Sequence, residues 1–191
     1  MWSKLKKQLE DLICPCLKGR VEFWITNYRK AHDRMGRAYI TVDGKEVVNM
    51  CSIKKEIAIY NAEKEIRNSE NICSEQDDFK QDKMYELLKK EGFSENILSQ
   101  IAENRNINNL AHKKTEEQDI FSQYDFLEAA EKFLSSPIEE SLKSDNSIVK
   151  ALALIDRRVG KRTLERLKES IKDESGLVKY FYSLRCEAEK I

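Results

Sequence analysis

Apolar residues recur along this chain with two different periods, and the switch between them divides it. After Ser3, which suits a helix cap, Leu5, Leu9, Leu12 and Ile13 fall on one helical face. Pro15 and Gly19 end that helix. Val21, Phe23 and Ile25 then alternate with Glu22, Trp24 and Thr26, the period of a strand. A polar turn over residues 32–36 follows, and Ala38, Ile40 and Val42 alternate with Tyr39 and Thr41. Asp43-Gly44 suits a tight hairpin, whose central residues take positive φ. Lys45–Cys51 returns as a third strand. The pattern predicts an antiparallel three-stranded meander.

From Ser52 onward the signals are helical. Ile53, Ile57, Tyr60 and Ile66 suggest one helix. Residues 68–82 are polar and acidic and read as a linker or loop. Met84, Leu87 and Leu88 mark a short helix stopped by Gly92. Ser94 starts another, with Ile97, Leu98 and Ile101 inward, and the Asn-rich stretch 104–118 reads as a loop. Phe121, Tyr124, Leu127, Phe133 and Leu134 mark a firmer helix. In Ser136-Pro137-Ile138-Glu139, Ser136 reads as a cap, Pro137 fits the first turn, and Glu139 can reach back. Residues 148–159 form the most apolar helix, with Ile148, Leu152, Ile155 and Val159 on one face. Another helix follows Gly160, and a last one carries Leu177, Tyr180, Phe181 and Leu184. The fold class is α+β: a small three-stranded antiparallel sheet with an N-terminal helix, and a mainly helical C-terminal region. The expected organisation is 1–67, a linker at 68–82, and 83–191.

Composition sharpens this reading. The 191 residues suffice for one domain or two small ones. Apolar residues are 40% and charged residues 36%, which fits helices with long solvated faces. Net charge is zero. The charges are nonetheless segregated. Lys and Arg number 12 against 7 Asp and Glu in residues 1–60, 11 against 20 in 61–145, and 11 against 7 in 146–191. Two basic ends flank an acidic middle, and mutual attraction between them is the simplest reading. Five cysteines, Cys14, Cys16, Cys51, Cys73 and Cys186, make no disulfide framework and suit a reducing, cytoplasmic setting. Cys14-Pro15-Cys16 is neither C-x-x-C nor a zinc knuckle. A tetrahedral zinc site would need an untidy set such as Cys14, Cys16, Cys51 and His32, so no metal and no cofactor is expected. No signal peptide and no membrane span is expected. The cluster Trp2, Lys4, Lys6 and Lys7 is diluted by Glu10 and Asp11, so the first helix should pack on the body rather than a membrane.

No catalytic motif emerges. Gly160-Lys161 is not a phosphate loop, because Ile155 stands where a glycine is needed and Arg162 where Ser or Thr is needed. Nor does it make a good helix-turn-helix, since Asp156 occupies the small-residue position before the turn. With His32 and His112 far apart, only Cys51 with His32 offers a dyad, and it has no third member. No catalytic residue is assigned.

Two candidate binding sites remain. The first is Arg157, Arg158, Lys161 and Arg162, which surround Gly160. If a helix ends there, Arg157 and Arg158 neutralise its C-terminus. Lys161 and Arg162 lack that excuse, and a carboxylate from the acidic middle is their expected partner. The second is a sheet face with Trp24, Tyr28, Arg29, Arg37 and Tyr39, an aromatic platform with Arg20, Lys30 and Arg34 nearby. Packing against helices is the plainer reading of that face.

W-S-K-L-K-K at 2–7, K-G-R-V at 18–21, A-Y-I-T-V-D-G-K-E at 38–46 and I-V-K-A-L-A-L-I-D-R-R-V-G-K-R at 148–162 together resemble a family of uncharacterised bacterial proteins. The resemblance implies a bacterial cytoplasmic protein and imports no catalytic residue. The expected function is non-enzymatic: an intracellular, accessory or immunity-like binder of another protein. The alternative is a nucleic-acid or phosphate binder that uses the basic residues of both ends.

Overall fold

The computed structural model describes residues 2–29, 35–69 and 83–191. Lys30, His32, Arg34, Cys73 and most of the acidic stretch, 70–82, lie outside them. The protein is α+β. Helix α1 (Trp2–Leu12) leads into strands β1 (Val21–Asn27), β2 (Gly36–Val42) and β3 (Lys45–Cys51). Helices follow: α2 (Ser52–Asn68), α3 (Lys83–Lys90), α4 (Glu95–Glu117), α5 (Gln123–Ser135), α6 (Ile138–Leu142), α7 (Ser147–Leu154), α8 (Lys161–Leu167) and α9 (Gly176–Glu189). A short 3-10 turn, Ser170–Asp173, precedes α9. The chain forms two compact units, Met1–Lys55 with Gln118–Ile191, and Glu56–Glu117.

In the first unit the meander forms as its alternation predicts, in the order β1-β2-β3 with both pairs antiparallel. Asp43 (φ 50) and Gly44 (φ 75) take the positive φ that the hairpin requires. Val21, Phe23, Ala38, Ile40, Val42 and Met50 are buried on one side of the sheet. They share a core with Leu5 and Leu9 of α1, Phe126 and Phe133 of α5, Ile148 and Leu152 of α7, and Phe181 of α9. Trp2 sets its ring edge against Phe126, 6.1 Å away, so α1 packs on the body. Two cavities beneath the sheet measure about 10 Å³ each, no larger than one water needs. Ile40 and Thr41 pair with Val48 and Glu46, so Val47 is left over in a bulge on the edge strand. Such bulges discourage edge-to-edge pairing with another sheet.

Polar contacts lock the sheet to α5. Ser122 accepts from the Asp125 backbone N–H at 3.2 Å, and Asp125 accepts from the Ser122 N–H at 2.6 Å, a capping box. The same carboxylate accepts from Lys55 Nζ at 2.8 Å, where Lys55 is almost fully buried at the start of α2. Gln123 donates to Asn27 at 2.9 Å.

In the second unit the departures from expectation lie in α4. The inward face of α2 is Ile59 and Ala62, which pack on Ala111, whereas Ile53, Ile57 and Tyr60 are exposed. In α3, Tyr85 is the buried residue, while Met84 and Leu87 are exposed. In α4, Leu98 is buried, Ile101 half-buried and Ile97 exposed. Stretch 104–118 is no loop, because α4 continues to Glu117. Its polar residues pair with α2: Arg67 donates to Asn104 at 2.9 Å, Asn108 donates to Glu63 at 2.8 Å, and Lys114 pairs with Glu65. A helix this polar persists through such cross-helix pairs rather than through one apolar stripe.

Two boundaries also shift. Ser136 does not cap α6. It ends α5 in extended conformation, and Pro137 precedes α6 without any side-chain cap. The apolar helix runs only over Ser147–Leu154, capped by Asn146, which accepts from the N–H groups of Ile148 and Val149. Tyr124 and Tyr180 are exposed.

Gly36 tests this packing. A methyl group there would meet the Thr26 carbonyl and the Gln123 side chain. Gly36→Ala is expected to destabilise by about 1–3 kcal/mol, the usual cost of overpacking, measured by urea denaturation.

Candidate functional site

Two of the four cations around Gly160, Arg158 and Lys161, are paired within the protein. After α7 stops at Leu154, residues 155–159 form an irregular loop against the end of α1. Cys14 donates its N–H to the Ile155 carbonyl at 2.9 Å, and Arg157 donates its own to the Leu12 carbonyl at 2.8 Å. Ile13 and Asp156 thereby form an isolated antiparallel bridge. The loop wraps a buried guanidinium. Arg185 of α9 is 3% exposed and donates to the carbonyls of Val159 at 2.9 Å and of Ile155 and Asp156 at 3.4 Å. Its charge is matched by Glu189, one helical turn on, at 3.1 Å.

Asp156 is also buried, and Arg158 covers it. Its carboxylate accepts from the Arg158 N–H at 2.7 Å and from the guanidinium at 2.8–3.1 Å. This pairing holds the Arg158 guanidinium above its usual pKa. The same guanidinium lies over Phe133, 5.8 Å from the ring centre. Arg158 is therefore no helix-end cation, since α7 has ended four residues earlier. Lys161 finds its partner elsewhere than expected. It donates to the Glu189 carbonyl at 2.7 Å and lies 3.7 Å from the Glu189 carboxylate, at the C-terminus of α9. That is the end of a helix where a cation belongs. The acidic middle supplies no part of this pair. Gly160 begins α8 as its N-cap with φ −91 and open space around it, so neither a helix end nor a mid-helix glycine describes it. Arg157 and Arg162 stay exposed, and their guanidinium groups make no hydrogen bond or ion pair among the described residues.

Arg185 escaped the sequence reading because a charged residue carries no signal of burial. The one legible hint was its i, i+4 spacing to Glu189.

The second candidate is assembled on the other face of the sheet, beside α1. Trp24 and Tyr39 are cross-strand partners, with ring planes 12° apart and centres 6.2 Å apart. Lys6 Nζ of α1 sits 4.1 Å over the Trp24 ring, and Arg37 lies 4.4 Å over Tyr39. The result is a row of cation, ring, ring, cation across β1 and β2. Trp24 remains 39% exposed, although its indole N–H donates to Thr41 at 3.3 Å. Packing under helices is thus not the fate of this tryptophan. Each cation of the row has its own carboxylate: Lys6 with Glu10 at 3.5 Å, Arg37 with Glu46 at 3.0 Å. At the edge, Arg20 makes a two-pronged pair with Asp43, both bonds at 2.8 Å. That pair raises the arginine pKa and lowers the carboxyl pKa. Arg29 is exposed beyond the end of β1.

Tyr28 is drawn toward the start of α2 instead of joining the row. Its hydroxyl contacts Cys51 Sγ at 3.3 Å. Burial opposes ionisation of Cys51, but Tyr28 and the backbone N–H groups of Lys54 and Ile53 outweigh it, and the thiol is held below its ordinary pKa. The dyad of Cys51 with His32 lies outside the described residues. Among the described residues no cluster of His, Cys, Asp and Glu is placed to hold a metal ion, and no helix is long and apolar enough to cross a membrane.

The site and fold thus define an α+β protein whose small sheet is covered by helices on one side and displays a charge-balanced aromatic row on the other. The chain belongs to the SF0329 protein family, which it matches over residues 1–186. No curated protein and no solved structure matches it.

These assignments separate by mutation. Arg185→Met is expected to cost about 3 kcal/mol or more, because Glu189 and the loop carbonyls lose a buried partner. Lys161→Ala should cost no more than about 1 kcal/mol, as exposed pairs do. Arg162→Ala should leave the thermal midpoint unchanged.

Proposed function

We propose that this protein is a non-enzymatic intracellular binder of another protein, and that it engages its partner with the outer face of β1, β2 and β3. The observation that carries this reading is the row of Lys6, Trp24, Tyr39 and Arg37, in which Trp24 is exposed and the other three are half-buried. Tryptophan, tyrosine and arginine are the residue types that dominate protein–protein hot spots. Here the rings are pre-positioned by cross-strand stacking and by cations above them, so little side-chain entropy remains to be lost on association.

The charge pairing favours a protein over a nucleic acid. A strand of nucleic acid is held by unpaired cations that follow its phosphates and by open ring faces on which bases stack. In this row the cations are paired with Glu10 and Glu46, and each ring already carries a cation over one face. Phosphate recognition would fall instead to Arg157 and Arg162. A bacterial, cytoplasmic setting belongs to the same reading. It is supported by the family resemblance and by cysteines that stand as free thiols among the described residues.

A photo-crosslinking residue in place of exposed Val47, beside the row, tests the proposal in cells that express the protein. One protein adduct is expected. It should be lost with Trp24→Ala or Tyr39→Ala, while the thermal midpoint of each variant stays within a few degrees of the parent. Persistence of the adduct in both variants would remove the row from the interface. In parallel, electrophoretic shifts with single-stranded and duplex DNA and RNA across a salt series should show no binding. A shift that weakens steeply with salt and is abolished by Arg157→Ala with Arg162→Ala would establish the polyanion reading instead.

A further inference from the structure

The sequence Cys14-Pro15-Cys16 matches no familiar redox or metal spacing, yet the fold brings its two sulfurs together. The Leu17 N–H donates to the Cys14 carbonyl at 3.0 Å, closing a tight turn across Pro15. The Sγ atoms lie 3.1 Å apart. That leaves about 1 Å to travel before a disulfide bond of about 2.05 Å. Both cysteines are free thiols. Their surroundings are unequal. Cys14 is fully buried, and its backbone is fixed to the Ile155 carbonyl. Cys16 is half-buried and its thiol points to Glu189 Oε1 at 3.5 Å. Cys16 is thus partly exposed, whereas Cys14 is not. An attacking thiol and a resolving thiol are arranged in this way.

We propose that Cys14 and Cys16 form a reversible redox modification site, which closes to an intramolecular disulfide by exchange with a low-molecular-weight disulfide. In the first step the Cys16 thiolate attacks one sulfur of R–S–S–R. The Cys16–SR bond forms, the R–S–S–R bond breaks, and one R–S⁻ leaves. In the second step the Cys14 sulfur attacks Cys16 Sγ, and the second R–S⁻ leaves. The two protein sulfurs lose two electrons, the small disulfide gains them, and the two thiol protons end on two R–SH. Cys186 takes no part in the exchange.

The reaction has a structural consequence at the hub described above. In the reduced protein the Cys16 thiol is one of the groups that meet Glu189, together with Arg185 and Lys161. Closure removes that S–H donor and draws Cys16 toward Cys14. The carboxylate that neutralises the buried guanidinium thereby loses a partner. The redox state of the turn is read by the C-terminal end of α9.

The same surroundings set the rate. Burial, and then the hydrogen bond and the charge of Cys14, push the Cys16 thiol up to about 12. The nearby guanidinium of Arg185 pulls the other way, and Glu189 adds to the rise. Since the thiolate is the attacking species, exchange is slow at neutral pH and accelerates about tenfold per pH unit while the thiolate fraction remains small.

Peptide mapping of the full chain tests this directly. The folded protein is incubated with oxidised glutathione, quenched in acid, alkylated under denaturing conditions and digested with trypsin. Gln8 to Lys18 is released as one peptide that carries both cysteines and no other. The expected result is loss of both alkylations from this peptide with the mass change of two lost hydrogens. Cys51 and Cys186 should remain alkylated, and reduction should restore the parent mass. Cys14→Ser should trap a glutathione adduct on Cys16, and Cys16→Ser should give neither adduct nor closure. Three outcomes would overturn the proposal: full alkylation of the peptide at every glutathione ratio up to pH 9, a stable adduct on the parent protein without closure, or a covalent dimer through Cys16. The parent-protein mapping stands whether or not either variant folds.

Discussion

A single buried charge, the guanidinium of Arg185, dictates the arrangement of the C-terminal half of the first unit. A cation removed from water is tolerated only where carboxylate and carbonyl oxygens replace its hydration. Here Glu189 supplies the counter-charge, and Ile155, Asp156 and Val159 supply the carbonyls. Those three residues lie in one short loop, so the loop must bend with its carbonyls inward. This requirement explains why α7 stops at Leu154 although apolar residues continue at helical spacing through Ile155 and Val159. Both remain buried, but the carbonyls of 155 and 156 are turned to the arginine instead of a further helical turn. The last carbonyls of a helix always need partners, and a side chain from α9 provides one.

The loop then passes its constraint to the other end of the chain. Its outer edge bonds Leu12 and Cys14 through the backbone, which fixes the exit of α1 and the turn into β1. Phe23 and Phe126 stack at 6.1 Å within the core that this closure seals. The first and last elements of the sequence therefore share one core, and the sheet's inner face is set by what α7 and α9 present to it. The outer face follows by alternation: with Phe23 and Ile40 turned inward, Trp24 and Tyr39 turn outward together.

How much of this was legible depends on the kind of signal involved. Period-two alternation and Asp43-Gly44 made the meander readable strand by strand, because strands bury one face and their turn needs positive φ. Helix faces were less secure. Ile97 of α4 is exposed although its neighbour Leu98 is buried, and in α2 Ile57 is exposed while Ile59 and Ala62 are buried. Hydrophobicity alone does not reveal that two alanines, Ala62 and Ala111, share a buried cluster with Ile59. The reading of 104–118 as a loop failed for a related reason. Asn104, Asn108 and Lys114 are poor evidence for a helix individually, and their partners on α2 are 37 to 49 residues away. At Gly160 the cations were visible, but their partners were not. Asp156 lies two residues from Arg158, whereas Glu189 lies 28 residues beyond Lys161.

These pairings also decide what the basic ends of the chain can do. Counted along the sequence, residues 1–60 and 146–191 each carry an excess of cations, which suggests a common positive surface. In the fold, Lys55 reaches Asp125 of the acidic middle. The other described pairs of these ends are made within them: Lys6 with Glu10, Arg20 with Asp43, Arg37 with Glu46, Lys150 with Glu174, Arg158 with Asp156, Lys172 with Glu169, and Lys161 and Arg185 with Glu189. A paired charge contributes little field beyond about 8 Å at physiological salt. Tight binding to a polyanion draws on several unpaired cations, each releasing a counterion from a phosphate. The candidate cluster around Gly160 retains only Arg157 and Arg162 for that purpose. The aromatic row needs no such field. Its rings are apolar, pre-positioned and electrically neutralised by their own neighbours, and such a surface selects for shape and for burial of apolar area. Of the basic cluster, Arg158 and Lys161 are tied to Asp156 and Glu189, whereas Trp24, expected under helices, keeps 39% of its surface exposed.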